Sequence, residues 1–151
     1  MFEDEQTGLE TMFGLVTHVQ KRVSLVWGLG QLESEMTLSL AQLVIDDEMV
    51  AYVRRHRRGL VVDETSLALD VVRDVGIAGS YLETDHTFAH HRHELFSPRL
   101  LNRRPRNACP GPLHEVAAAR ARELLAEGAR PSLTEEDRKA LLAVERAFAQ
   151  D

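Results

Sequence analysis

One stretch of this chain has the composition of a buried parallel strand, and the rest must be arranged around it. Residues 23–27, Val-Ser-Leu-Val-Trp, are largely apolar and run into Gly28-Leu29-Gly30. Gln31, Glu33 and Ser34 follow, and a long helical pattern begins soon after. That order reads as a buried strand, a tight loop and the helix after it. In barrel and open α/β folds, ligands sit at the carboxyl ends of such strands. Contact with a small molecule is therefore expected at residues 27–34. The Gly-x-Gly lacks the third glycine of a dinucleotide fingerprint, which excludes that reading. A parallel strand needs neighbours on its edges, yet no second convincing strand is present. The chain is either a helical cluster around one orphan strand or part of something larger.

Composition narrows the class. With 44% hydrophobic and 28% charged residues, the chain is globular rather than disordered. A formal charge of −6 gives no general basic footprint, so nucleic acid is not the expected partner. The single cysteine, Cys109, excludes an internal disulfide and fits a reduced cytoplasmic setting. No His or second Cys stands beside it in a motif, so it is not read as a nucleophile or ligand. The acidic start lacks the apolar core of a signal peptide. No apolar run approaches the roughly 18 residues of a membrane span.

The remaining elements read as helices. Residues 4–20 carry Leu9, Met12, Phe13, Val16 and Val19 at helical spacing. Residues 36–57 form a longer helix, capped by Thr37 or Ser39 and closed by Gly59. Its apolar residues lie on several sides, the mark of a helix buried between layers. Asp47 is read as an ion-pair partner of Arg54 or Arg55, with a catalytic carboxylate as the alternative. The run Arg54-Arg55-His56-Arg57-Arg58 suits the negative end of the helix dipole and reads either as a solvated helix end or as a site for an acidic partner. Asp63 starts a helix, with Val62 and Leu67 as a staple and Leu67, Val71 and Val75 as the buried stripe, ended by Gly76 and Gly79. After Phe96-Ser97-Pro98, residues 97–112 read as a loop, with Arg103, Arg104 and Arg106 as a small basic patch. Residues 114–127 form a helix with Leu113, Ala117, Ala121 and Leu124 inward and Gly128 as its end. The last helix is capped by Ser132 or Thr134, with Leu141, Val144 and Phe148 as its stripe.

Residues 83–94 hold His86, His90 and His93 at i, i+4, i+7, with Glu83 one turn earlier. On a helix these share a face, which leaves three readings: surface histidines, a pocket lined by His86 and His90, or a divalent metal site. The His-Glu-x-x-His pattern of metalloproteases is absent, and no metal is assigned.

Several motifs occur together in one order: Asp4-Glu5-Gln6-Thr7-Gly8, the Gly28-Leu29-Gly30-Gln31-Leu32-Glu33-Ser34 loop, and Glu48. Then come Arg57-Arg58-Gly59, Leu67-Ala68-Leu69-Asp70-Val71, Val75-Gly76, His86-Thr87 with His90 and Arg92, Phe96 with Pro98, and Asn102-Arg103-Arg104-Pro105. The series resembles the C-terminal portion of the trimethylamine–corrinoid methyltransferase family over roughly residues 4–106.

The resemblance implies a mostly α chain with a single parallel-type strand, the C-terminal fragment of a TIM (β/α)8 barrel plus C-terminal helices. Residues 1–106 would be the end of the barrel and residues 107–151 a helical tail. Such barrels run to about 250 residues, so the chain would be incomplete on its own. It further implies transfer of a methyl group from a tertiary or quaternary amine to the cobalt corrinoid of a separate protein, with no cofactor bound directly. Partners would be that corrinoid protein, the methylated amine, and either a companion chain carrying the rest of the barrel or a second copy. Archetypal members carry pyrrolysine upstream of this region, no residue here can stand in for it, and the catalytic residues are left unassigned. Trp27, Gly28, Gly30, Glu33 and Ser34 become candidate substrate-binding residues, with Trp27 as one wall of the amine pocket by cation–π attraction. The alternatives are a non-catalytic helical interaction module or remnant, and a small metal-binding protein using the three histidines.

Overall fold

The structure, a computed structural model, describes residues 4–128 and 133–148. The chain separates into two compact units, Met1–Ala121 and Arg122–Asp151. The first is built on two helices. α1 (Glu5–Gln20) is capped by Asp4, whose carboxylate accepts the Thr7 N–H at 3.2 Å. α2 (Leu40–Arg58) is capped by Ser39 and ended by Gly59 at φ 70°. The two helices pack together. The buried face of α1 differs from the expected stripe: Leu15 and Thr7 are inside, while Leu9 and Phe13 are exposed. The apolar stripe is there, but only part of it meets a neighbour.

Residues 23–27 are not a strand. A strand exists only where another backbone pairs with it, and the described residues offer these none. Val23, Leu25 and Trp27 are accordingly exposed. The expected single parallel-type strand is replaced by a short antiparallel hairpin further on. β1 (Gln31–Leu32) pairs with β2 (Thr37–Leu38) in the register Gln31↔Leu38 and Leu32↔Thr37. Because β2 takes Thr37 and Leu38, α2 starts at Leu40 rather than at 36.

The buried face of α2 is largely polar: Gln42, Asp46 and Glu48 lie beside Ile45 and Val53. Asp47 is exposed. Its expected partners, seven and eight residues on, are about 10–12 Å away along the helix axis, and Arg55 pairs with Glu94 instead.

The helix predicted after Asp63 is two helices. α3 (Glu64–Leu67) opens with a reciprocal capping box between Asp63 and Ser66. Ala68 then adopts the left-handed region at φ 46°, and α4 (Leu69–Val75) continues to Gly76. That break splits the expected stripe, and neither helix has a buried residue. α5 (Asp85–Glu94) is capped by Thr84. α6 spans Leu113–Glu127, and within the first unit its Ala117 and Ala121 are buried as expected. Gly128 follows it at φ 76°.

In the second unit, α7 (Glu135–Phe148) is capped by Thr134, whose hydroxyl accepts the Asp137 N–H at 3.1 Å. Ser132, the other candidate cap, lies outside the described residues. Leu141, Val144 and Phe148 are exposed. No helix among the described residues is long and apolar enough to cross a membrane.

Much apolar surface is left uncovered in the first unit. Leu25, Leu60, Val62, Ile77, Leu82 and Phe88 are all at least three-quarters exposed. Burial of such side chains is worth about 1.5–3 kcal/mol each.

Candidate functional site

The loop from Trp27 to Leu38 is fixed by glycine geometry and by a buried carboxylate. Gly28 and Gly30 have φ of 94° and 75°, which side chains with a Cβ avoid. The Gln31 N–H returns to the Gly28 carbonyl at 3.1 Å, and the Ser39 N–H donates to the Gly30 carbonyl at 2.8 Å. Asp46, on α2, accepts the Gly30 N–H at 2.7 Å with one oxygen and the Gln42 amide at 2.7 Å with the other. Burial pushes the Asp46 carboxyl above its ordinary value, and those two hydrogen bonds oppose the shift.

At the hairpin tip, Glu33, Ser34 and Glu35 are consecutively left-handed, at φ 52°, 53° and 74°. Each such residue costs roughly 1–2 kcal/mol without glycine. The Thr37 hydroxyl donates to the Glu33 carboxylate at 2.8 Å and holds its pKa below the ordinary value. Glu33 therefore sits within the hairpin; the cap of α2 is Ser39. Glu35 accepts the Trp27 indole N–H at 3.0 Å. This joins the start of the loop to its tip.

Trp27 is 71% exposed. One side of it borders an open cleft of about 140 Å³ against α1, lined also by Thr11, Gly14, Leu15, His18, Val26, Gly28 and Leu29. That is close to the roughly 150 Å³ that holds a benzene ring. An exposed indole with a carboxylate at its edge is a combination that attracts organic cations.

The histidines belong elsewhere. His86 and His90 do share a face, with ring centroids 4.5 Å apart. His86 Nε2 donates to the Thr65 carbonyl at 2.8 Å, so the pair lies against α3. His93 turns to Arg58 and Glu94. The three do not converge, and among the described residues no three His, Cys, Asp or Glu side chains are placed to hold a metal ion.

Three residues of the loop's support escaped the sequence reading. Gln42 and Asp46 are i, i+4 partners on α2, a signal open to detection, but the apolar periodicity drew attention to Asp47 instead. Glu35 could not be linked to Trp27 without the left-handed turn at the hairpin tip.

Fold and site together define a mostly helical protein with a glycine-containing loop that presents an aromatic ring beside a carboxylate. The family described as trimethylamine methyltransferase (MTTB) matches residues 1–148, and the chain belongs to that family. It is similar to the trimethylamine methyltransferase MttB of Desulfitobacterium hafniense, 37% identical over 82 residues, which is 54% of this chain and 16% of that protein. It is similar to the glycine betaine methyltransferase of the same species, 32% identical over 101 residues, 66% of this chain and 21% of that protein. The trimethylamine methyltransferase MttB of Methanosarcina barkeri is 32% identical over 84 residues, 56% of this chain and 17% of that protein. The matched segment thus spans only about a fifth of each relative.

Proposed function

We propose that this chain forms the C-terminal part of a cytoplasmic methyltransferase that moves a methyl group from a tertiary or quaternary amine to a corrinoid protein. Membership of the family, over nearly the whole chain, is the observation that carries the reading. Residues 1–106 supply the last portion of a TIM-type barrel, and residues 107–151 form a helical tail. The uncovered apolar surface and the unpaired apolar run at 23–27 support it, since both would be satisfied by neighbouring barrel strands.

In this reading the corrinoid belongs to the partner protein, where it supplies the methyl acceptor. The chain's own contribution is positioning and electrostatics, as suits a direct displacement. Trp27 provides an aromatic wall for the ammonium group, worth about 0.5–2 kcal/mol. Glu35 adds negative charge beside it, and Glu33 lies two residues away on the same hairpin tip. Gly28 and Gly30 give the loop its positive-φ turn, and Gly30 lets it lie close on α2.

The test is a chimera in which this chain replaces the matching C-terminal segment of the Desulfitobacterium hafniense trimethylamine methyltransferase. Corrinoid methylation is followed with trimethylamine and with glycine betaine. A folded chimera that methylates with one of them, and loses activity on Trp27→Ala, is the expected result. A folded chimera inert toward both overturns the reading.

A further inference from the structure

Asp46 is the most deeply buried charged side chain among the described residues, at 2% exposure, and the proposed chemistry does not use it. Its two oxygens are committed, one to the Gly30 N–H and one to the Gln42 amide, each at 2.7 Å. The carbonyl of the same glycine accepts the Ser39 N–H at 2.8 Å, so both polar groups of Gly30 are tied down. A side chain at that position would lie 2.9 Å from Leu43 Cβ, which shows how closely the loop is drawn onto α2. Trp27 lies three residues before this anchor. Its partner Glu35 lies on the hairpin that begins one residue after it.

We propose that Asp46 is a positioning residue: by holding Gly30 it fixes the Trp27–Glu35 pair in the orientation that receives the amine. The proposal rests on the reading of Trp27 as an amine wall. Asparagine matches Asp46 in size and keeps one oxygen for the Gly30 N–H, so what the position requires is the buried acceptor rather than the charge. The nearby acids are otherwise engaged or turned away. Asp47 faces solvent, and Glu48 accepts from Leu100 and Leu101. Glu33 accepts from Thr37, and Glu35 from Trp27. Burial, which raises the Asp46 carboxyl, agrees with a group kept for its hydrogen bonds rather than for contact with solvent.

Trp27 is the chain's single tryptophan, so the tryptophan band of the near-ultraviolet circular dichroism spectrum and the anisotropy decay of selectively excited tryptophan fluorescence report on this loop, apart from the two tyrosines and five phenylalanines. Asp46→Ala is expected to abolish the tryptophan near-ultraviolet band and add a fast anisotropy component, with the far-ultraviolet helix signal unchanged. Asp46→Asn, which keeps an oxygen for the Gly30 N–H, is expected to restore both. If Asp46→Ala leaves Trp27 as ordered as before, or both variants lose the band equally, the proposal is overturned. Should Asp46→Ala fail to fold, Asp46→Leu, which fills the space without an acceptor, decides the matter: a looser Trp27 supports the proposal, and an unchanged one sinks it. The Trp27→Ala chimera separates the two readings. Loop order that depends on Asp46, with trimethylamine-driven corrinoid methylation unchanged by Trp27→Ala, removes the amine assignment and leaves the anchor intact. Methylation lost on Trp27→Ala, with loop order independent of Asp46, does the reverse.

Discussion

Arg55 on α2 holds Glu94, the last residue of α5, at two points. Its guanidinium meets the Glu94 carboxylate at 3.1 Å, and its Nε donates to the Glu94 carbonyl at 3.2 Å. Arg58 adds contacts to the same carboxylate and to the His93 carbonyl. The carbonyls at the end of a helix have no partner within it, so two arginines of α2 act as the C-terminal cap of α5. Part of the basic run at 54–58 is therefore a fastening between helices rather than a solvated helix end.

This fastening is expected to fail in acid. Hydrogen bonding from Arg58, aided by His93, holds the Glu94 carboxyl below its ordinary value. A carboxyl depressed on folding stabilises the fold fully above its unfolded-state value, and that contribution is lost as pH falls through the lower folded value. Thermal melts between pH 7 and pH 3 are therefore expected to show a falling Tm, with a shallower fall in Glu94→Gln. Parallel slopes for the two proteins would refute the assignment.

Glu48 performs a similar task in a drier setting. It is 7% exposed, and one carboxylate oxygen accepts the backbone N–H groups of Leu100 and Leu101 at 3.0 and 3.3 Å. Glu48→Ala leaves these donors without their acceptor. A loss of about 1–3 kcal/mol is expected in urea unfolding. Glu48→Gln keeps an oxygen in place and is expected to lose less. Equal losses would mean that charge, rather than acceptor geometry, holds the loop.

How far the sequence could be read follows from what each signal depends on. Caps are local chemistry, and Ser39, Gly59, Asp63, Gly76, Gly128 and Thr134 all mark helix ends that were expected. The apolar run at 23–27 has strand composition, but pairing must come from another segment, and the composition cannot supply it. Ala68 breaks a helix in a left-handed conformation that no alanine advertises. Hydrophobic periodicity also misleads on α2, because the face turned inward carries Gln42, Asp46 and Glu48. The glycine turn expected at 28–30 is present, while its anchor on α2 carries no signal in the apolar pattern.

Asp46 is expected to influence stability in the sense opposite to Glu94. Its carboxyl is raised by burial. A carboxyl raised on folding binds its proton more tightly in the folded state, so its contribution grows as pH falls through the folded value toward the unfolded one. Asp46→Asn removes that gain. The stability of the unsubstituted chain minus that of Asp46→Asn, read from urea midpoints at a series of pH values, should therefore become more positive on acidification below neutrality. A difference that shrinks would place the charged form of Asp46 among the stabilising groups.

Gly30 offers a way to separate backbone strain from crowding. Gly30 at φ 75° and Gly59 at φ 70° both strain a residue that carries a Cβ, and Gly59, with ψ −158°, lies in a region almost reserved for glycine. The surroundings differ. A Cβ on Gly59 meets nothing within 4 Å, whereas one on Gly30 lies 2.9 Å from Leu43 Cβ and 3.2 Å from both Leu38 Cδ1 and the Ser39 carbonyl. Overpacking of that kind adds about 1–3 kcal/mol to the strain at Gly30. Gly30→Ala is thus expected to destabilise the chain in urea unfolding and to disturb the Trp27 near-ultraviolet band, whereas Gly59→Ala destabilises the chain and leaves the band intact. An unchanged band in Gly30→Ala would show that the close approach at Gly30 does not constrain the loop.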